Sequence, residues 1–143
     1  MSAGSLKACG FTPVLTSTGL DGRVALPVPT TQAAFQLRNA LEDRLGQSSG
    51  PYALSYTIEI QEDGLAITAD QQTTRFNVIG TVRYDLRADD GTLLASGAQR
   101  SFTGYSTTGN TVTTRSARED AQARLMVILS DLILSDLRAK VLK

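Results

Sequence analysis

The stretch from Thr74 to Arg87 alternates between apolar and polar side chains, and this feature constrains the fold more than any other. Its odd positions are polar apart from Ile79. A period of two predicts a half-buried β-strand, about 46 Å long at ~3.3 Å per residue. The rest of the chain must cover the apolar face of this strand or pair with its edges. Its even positions carry Phe76, Val78, Gly80, Val82, Tyr84 and Leu86.

Composition restricts the class of function. The 143 residues suffice for one domain with its own core. Lysine plus arginine and aspartate plus glutamate number 14 each, so the chain lacks the excess positive charge on which nucleic-acid binding rests. It has no histidine and one cysteine, which removes the commonest general base and metal ligand and excludes an internal disulfide. We predict a protein that is not an enzyme, with no cofactor, no metal site and no nucleic-acid partner.

Residues 1–22 are predicted to be an N-terminal tether that carries a lipoprotein cysteine. Cys9 follows Leu6 and Ala8 in a pattern that resembles part of a bacterial lipobox, although Lys7 departs from that pattern. We expect Cys9 to be the site of lipid attachment, a signal sequence to have been removed, and the membrane to be met only through the anchor. The alternative is an ordinary free cysteine near the terminus.

The first elements after the tether are predicted to be a short strand and a helix. The strand covers Arg23 to Val28, and Pro27 places it at an edge because proline has no N–H. The helix extends from about residue 32 to 46, with Thr30 or Thr31 as its cap. The inward stripe predicted for this helix consists of Ala34, Leu37, Leu41 and Leu45.

A second alternating segment, Tyr52 to Ile60, predicts the next strand. Asp63-Gly64 is typical of a turn and is expected to follow it. Leu65 to Thr68 is then expected to be a brief extended piece, before a polar bend at residues 70–73 that leads into the long strand.

The C-terminal half is predicted to hold a hairpin and a long helix. Asp89-Asp90-Gly91 predicts the turn, and Thr92 to Phe102 the return strand, with a bulge at Gly97. After a loop over residues 103–114, a helix is expected from Arg115 to about Leu142. The inward residues predicted for this helix are Ala121, Leu125, Ile128, Leu129, Leu132, Ile133 and Leu137.

The predicted order is β-α-β-β-β-α, and residues 23–143 are expected to form a single α+β domain. The helical crossover implies that the first two strands are parallel or not adjacent, and the next two connections are hairpins. We predict a four-stranded, mostly antiparallel sheet with both helices on one face, which leaves the opposite face polar and bare. The most buried residues are predicted to include Tyr56, Ile58, Val78, Val82, Leu125 and Leu129.

Three arginines occupy odd positions of the long strand and therefore share its polar face. They are Arg75, Arg83 and Arg87, and Arg100 on the return strand is expected nearby. Because guanidinium groups pair with phosphate and carboxylate oxygens, these four residues are candidates for contact with an anionic partner. The alternative is a sheet face that is merely solvated.

Several segments along the chain match one known family in order and spacing. They are Cys9-Gly-Phe-Thr-Pro-Val14, Leu41-Glu-Asp-Arg-Leu-Gly46, Tyr52-x-Leu54, Gly64-Leu-Ala-Ile-Thr68, Thr74-Arg75, Tyr84-Asp-Leu86, Ser101-Phe102, Tyr105-Ser106, Arg118-Glu-Asp-Ala121 and Arg124-Leu125. Together they resemble the lipopolysaccharide-assembly lipoproteins of the LptE type, in their alphaproteobacterial form. The resemblance implies two helices on a four-stranded sheet, in agreement with the periodicity.

The resemblance also implies a function that no pattern of residues supplies. Proteins of this family sit inside the outer-membrane barrel LptD and assist the insertion of lipopolysaccharide into the outer leaflet. By resemblance, the partners are an LptD-type barrel and lipopolysaccharide, and the location is the periplasmic face of the outer membrane. The polar face of the long strand would then contact lipopolysaccharide or the barrel through Arg75, Arg83, Arg87 and Arg100. The alternative is a soluble periplasmic binding or interaction module that uses the same bare face.

Overall fold

The computed structural model of the chain describes residues 20–47, 49–67, 73–107 and 111–141. Within these residues the predicted order β-α-β-β-β-α is confirmed. The elements are β1 (Val24–Ala25), α1 (Gln32–Leu45), β2 (Tyr52–Ile67), β3 (Thr73–Arg87), β4 (Leu93–Ser106) and α2 (Thr111–Val141).

The four strands form one sheet in the order β1-β2-β3-β4, which confirms the predicted fold class. β1 is parallel to β2, and the other two pairs are antiparallel. The predicted turn between β3 and β4 is also present: Gly91 has φ of 88°, and the Thr92 N–H donates to Asp90 Oδ1 at 2.9 Å. Glycine suits this position because positive φ carries no steric penalty there.

Both helices lie on one face of the sheet, as predicted. The Tyr56 hydroxyl of β2 donates to the Ala34 carbonyl of α1 at 3.5 Å. The buried Thr103 hydroxyl of β4 donates to the Ala121 carbonyl of α2 at 2.7 Å. α2 also approaches β3 closely, because a Cβ on Gly80 would lie 2.9 Å from Leu125 Cδ2. Gly80 therefore allows the long helix to settle on the middle of the sheet.

The predicted turn at Asp63-Gly64 is wrong. β2 continues through these residues, with Asp63 opposite Asn77 and Gly64 opposite Phe76, and the register shifts just beyond Gly64. The long partner strand offers paired backbone positions along this whole length, and the glycine is accommodated as an irregularity rather than a turn. The expected bend at residues 70–73 lies mostly outside the described residues.

The first strand is shorter than predicted. β1 contains only Val24 and Ala25, and Val28 is 80% exposed instead of facing the core. Pro27 and Pro29 supply no N–H to a ladder, so the chain leaves the sheet there. The edge position of β1 is confirmed.

Helix α1 has the predicted start and nearly the predicted end. The Thr31 hydroxyl accepts from the Ala34 N–H at 3.1 Å, and the helix ends at Leu45. Gly46 follows with φ of 84°, and its N–H donates to the Glu42 carbonyl at 2.8 Å. The predicted stripe is wrong at Ala34, which is only partly buried. The buried residues of α1 are Ala33, Leu37, Ala40, Leu41 and Leu45.

The loop predicted over residues 103–114 is shorter in the structure. β4 extends to Ser106, and helix α2 begins at Thr111, four residues earlier than predicted. The prediction that Ile128 and Leu132 face inward is wrong, since each is 37% exposed. The cause is that α1 packs beside α2, so the buried arc of α2 is turned toward its neighbouring helix. The buried residues of α2 are Ala121, Leu125, Met126, Leu129, Ser130, Ile133, Leu134 and Leu137.

The predicted core is confirmed at four of its six residues. Val78, Val82, Leu125 and Leu129 are at most 1% exposed. The prediction is wrong at Tyr56 and Ile58, which are only partly buried. The reason is that both residues lie on β2 near the edge of the sheet. Leu20, just before β1, is 1% exposed and belongs to this core, although the sequence grouped it with the tether.

Candidate functional site

The register of the sheet defines an uncovered surface, which we call the outer face. It is formed by odd-numbered residues of β2 and β3 and even-numbered residues of β4, on the side away from both helices. Its side chains from the middle of the sheet are Ser55, Thr57, Glu59, Gln61, Asn77, Ile79, Thr81, Arg83, Asp85, Ala98, Arg100 and Phe102. No helix or strand of the described ranges covers this face, so the prediction that it is bare is confirmed for them, and the face is mostly polar.

The structure brings together two of the four candidate arginines. Arg100 lies directly opposite Thr81, and Arg83 is the next residue on that face of β3. Arg75 pairs with Ser106 at one end of the strand, and Arg87 lies at the other. At ~3.3 Å per residue, these two ends are about 40 Å apart. A single small anionic group can thus meet Arg83 and Arg100 at once, but not all four arginines.

Three shallow concavities adjoin one another along the outer face, and Arg83 and Arg100 lie where they meet. The middle concavity, of about 280 Å³, is lined by both arginines together with Thr81, Ile79, Glu59 and Gln61. A larger one of about 610 Å³ shares Arg83 and has hydroxyl-bearing walls that include Ser55, Thr57 and Ser96. A third, of about 370 Å³, shares Arg100 and contains Ile79 and Phe102.

Phe102 and Ile79 make one end of this row apolar. Phe102 is 63% exposed, although a large aromatic side chain is normally buried. Sequence reasoning assigned neither residue to the site. The lapse in the alternation at Ile79 was the available signal, because an apolar residue on the polar side of a strand marks an exposed apolar spot.

The charges on the outer face are mixed rather than purely positive. Glu59, Asp63 and Asp85 stand among the four arginines. In the part of the chain that the structure describes, neither Arg83 nor Arg100 forms an ion pair or a hydrogen bond through its side chain. Arg87 differs, because its Nη1 donates to the Gly91 carbonyl at 3.1 Å. The two central guanidinium groups thus keep their donors available for an external acceptor.

A polar network on the helix side holds β3 and β4 against α2 beneath this site. The Tyr84 hydroxyl donates to Asp136, which also forms an ion pair with Lys140 at 2.7 Å. Burial, reinforced by the bond to Asp136, raises the pKa of the Tyr84 phenol to about 12. The hydrogen bonds from Lys140 and Tyr84 lower the pKa of the Asp136 carboxyl. With these pKa shifts, the Tyr84 phenol stays neutral and the Asp136 carboxyl stays ionised over the physiological pH range.

The predicted bulge at Gly97 is wrong. Gly97 pairs regularly with Tyr84, and the register shift on this side of the sheet lies between Leu86 and Arg87. Glycine is needed at 97 for another reason: a Cβ there would lie 2.6 Å from the Tyr84 hydroxyl and 2.8 Å from Asp136 Oδ2. The residue makes room for the polar network.

The described residues contain no group of three or more histidine, cysteine, aspartate or glutamate side chains able to hold a metal ion. Among the same residues, no helix combines the length and the apolar character needed to cross a membrane. Cys9, the predicted site of lipid attachment, lies outside the described residues. What the outer face offers chemically is two adjacent guanidinium groups beside an exposed apolar patch.

Comparison with known proteins adds a family and a set of structural relatives. A profile of the LptE family, described as lipopolysaccharide-assembly, matches residues 22–137. A lipoprotein candidate from Caulobacter crescentus superposes with a TM-score of 0.68 at 20% identity, covering 81% of this chain and 88% of that one. The rare lipoprotein B from Shewanella oneidensis gives 0.60 at 10% identity, with 82% and 92% covered. A minor lipoprotein from Acinetobacter baumannii gives 0.56 at 19% identity, with 82% and 92% covered. These structures share the fold; no curated protein matches the chain.

Proposed function

Because this chain belongs to the LptE lipopolysaccharide-assembly family, we propose that it is a non-enzymatic outer-membrane lipoprotein that partners an LptD-type barrel. Family membership implies a lipoprotein of lipopolysaccharide assembly. The finer role is the insertion of lipopolysaccharide into the outer leaflet together with that barrel. The observation that carries the proposal is the uncovered outer face, where Arg83 and Arg100 line one concavity.

The chemistry of this face suits an amphiphile that carries phosphate groups. A guanidinium group presents a planar fork that pairs with two phosphate oxygens at once, whereas a lysine ammonium acts as a point charge. Arg83 and Arg100 supply two such groups without competing partners among the described residues. The apolar Ile79 and Phe102 lie immediately beside Arg100 and can contact the start of an acyl chain. The hydroxyl groups of Ser55, Thr57 and Ser96 near Arg83 can form hydrogen bonds with a sugar.

Purification of the full-length native protein from detergent-solubilised membranes tests the partnership. We expect the protein to co-purify with one large β-barrel protein in a fixed ratio, and to stay with it in moderate salt. A soluble monomer in the periplasmic fraction, with no barrel attached, would contradict the proposal. That result would favour the competing function, a soluble periplasmic module that binds its ligand on the same face.

We further propose that Cys9 carries the lipid anchor in the native protein. The support is the Leu6-x-Ala8-Cys9 spacing and the absence of another cysteine in the chain. Two or more acyl chains would hold the protein stably on a membrane, at ~0.8 kcal/mol per buried CH₂. We expect mass spectrometry of the membrane-extracted protein to find a diacylglyceryl group on this cysteine. An unmodified Cys9 thiol on a protein released without detergent would refute the assignment.

A further inference from the structure

β4 is the last strand of the sheet, and one side of its backbone has no partner strand among the described residues. In an antiparallel pair, alternate residues turn their N–H and C=O groups away from the partner. Two contacts identify these residues in β4. The Ser96 carbonyl accepts from Lys140 Nζ at 2.6 Å, and the Gly104 carbonyl accepts from Arg124 Nη2 at 3.3 Å. Even-numbered residues of β4 therefore turn their backbone toward the open edge.

The far side of the sheet gives the same assignment independently. The Tyr52 N–H donates to the Arg23 carbonyl of the segment at β1, so even-numbered residues of β2 point away from β3. The odd-numbered residues of β2 therefore bond to the odd-numbered residues of β3, which leaves the even-numbered residues of β3 to bond to β4. Their partners on β4 are odd-numbered, so the even-numbered residues of β4 do not bond to β3.

Between the two side-chain contacts lies an open stretch of edge. Ala98, Arg100 and Phe102 turn their N–H and C=O groups outward there, and no other described segment pairs with them. The opposite edge of the sheet is covered at its start, and beyond Ala53 β2 has no partner strand among the described residues on that side. β1 pairs with Tyr52 and Ala53, and the start of α1 contacts Tyr56.

An exposed apolar strip of α2 accompanies this open edge. Leu125 and Leu129 point at Gly80 of β3, so the neighbouring stripe of the helix lies above β4. That stripe runs from Arg124 to Lys140 in steps of four residues, and both of its ends reach β4 carbonyls. Its intermediate members Ile128 and Leu132 are each 37% exposed. They lie beside the open edge, and no described segment covers the exposed part of these two side chains.

We propose that the edge of β4 from Ala98 to Phe102 accepts one extended strand from a partner protein. The added strand would bond to the outward N–H and C=O groups of this stretch, as in other cases of strand addition. Its apolar side chains would cover Ile128 and Leu132 on the helix side, and an acidic side chain on its other face would meet Arg100. This docking edge shares Arg100 and Phe102 with the outer face, but it binds its partner through the backbone of β4.

Charge complementarity selects such a strand over a second copy of this chain. β4 contains one arginine and no acidic residue. Lys140 and Arg124 flank the ends of its open stretch, but each is already in an ion pair on α2, with Asp136 and Asp120, so the unpaired charge is that of Arg100. Two copies of β4 paired antiparallel about their centres would place Arg100 opposite itself, and like charges in that position are destabilising. Basic residues at an edge are also a common protection against self-association. A strand with an acidic residue meets no such penalty.

A synthetic seven-residue peptide tests the proposal, with valine at the odd positions, glutamate at the centre and threonine at the other two positions. Its matched control replaces the glutamate by lysine. We expect the glutamate peptide to slow amide hydrogen exchange at Ala98, Arg100 and Phe102. The slowing should reach roughly tenfold when the peptide exceeds its Kd about ten times, because exchange then needs the peptide-free form. The lysine peptide should bind at least several-fold more weakly.

Two variants separate strand addition from other binding. Ala98→Pro removes an outward N–H without removing a sheet hydrogen bond, so it should abolish the protection, whereas Ala98→Thr keeps the donor and should retain it. If the proline variant is unfolded, Leu132→Glu is used in its place. Leu132 is partly exposed, and a glutamate there would put a charge against the valine side chains of the peptide and weaken binding. Lipopolysaccharide binding should be unchanged in folded Leu132→Glu, because Leu132 lies on α2, on the side of the sheet away from the outer face.

Three results would overturn the proposal. One is the absence of any slowing at the three amides, and another is slowing that persists in Ala98→Pro or in Leu132→Glu. The third is sedimentation showing that the protein alone forms dimers which Ala98→Pro dissociates, since the occupant would then be a second copy. Protection of the three amides by the glutamate peptide, lost in these variants and kept in Ala98→Thr, is the result that supports it.

Discussion

Replacing Leu129 by alanine is expected to lower the free energy of unfolding by about 2–5 kcal/mol, the usual range for a fully buried leucine. The Leu129 side chain is 0% exposed and lies over Gly80, at the point where α2 meets the middle of the sheet. The truncated side chain would leave a cavity that the long helix and the sheet cannot easily close. Urea unfolding monitored by circular dichroism measures the loss as a lower midpoint at constant slope.

Leu132→Ala is the matched control for this experiment. It makes the same chemical change on the same helix, but Leu132 is 37% exposed and points beside β4. Its expected loss is clearly smaller than that at Leu129, since a residue that is 37% exposed buries less apolar area and its truncation leaves no closed cavity. Equal losses at the two positions, or a loss under ~0.5 kcal/mol at Leu129, would mean that α2 does not cover the sheet as described.

The most reliable predictions came from regular alternation. A period of two assigns each residue of β3 to a face without knowledge of its partners, so the burial of Val78 and Val82 followed directly. The order of elements was equally accessible, because helix capping at Thr31 and the Asp90-Gly91 turn are local signals with local causes.

The wrong predictions share a physical cause, which is pairing between distant parts of the chain. Asp63-Gly64 has the local chemistry of a turn, but the length of β3 extends the ladder through it. Ile128 and Leu132 were assigned inward because a helix alone does not reveal from which sides it is covered. Packing of α1 against α2 turned the buried arc toward Met126 and Leu134.

The sequence could predict which face of the sheet carries the candidate site, but not which residues of that face lie next to one another. Parity put Arg75, Arg83 and Arg87 on one surface, whereas only the β3–β4 register shows that Arg100 lies opposite Thr81. The contribution of Phe102 also depends on that register, and the contribution of Glu59 depends on the β2–β3 register. One strand's sequence therefore could not show which charges are neighbours.

Reversing the two central arginines is expected to have the largest effect on function. The Arg83→Glu, Arg100→Glu double variant replaces two phosphate-pairing groups by two carboxylates in the same concavity. We expect affinity for lipopolysaccharide at low salt to fall at least about tenfold, equivalent to ~1.4 kcal/mol. Both side chains are exposed, so the melting temperature should change little. The difference should shrink as added salt screens the charges.

The control must carry the same change in net charge away from the outer face. Arg115 and Arg138 are both on α2, and Arg138 forms only a partly exposed ion pair with Asp21 at 3.4 Å. The Arg115→Glu, Arg138→Glu variant should keep most of the affinity. Its comparison with the first double variant separates a specific site from a general loss of positive charge.

Direct binding of purified lipopolysaccharide to the three folded proteins, titrated at low ionic strength and again in moderate salt, tests whether the outer face is the working surface. The proposed role predicts binding by the wild-type protein, nearly equal binding by the Arg115→Glu, Arg138→Glu control, and at least about tenfold weaker binding by Arg83→Glu, Arg100→Glu. Indistinguishable affinities for all three proteins at low salt would contradict it.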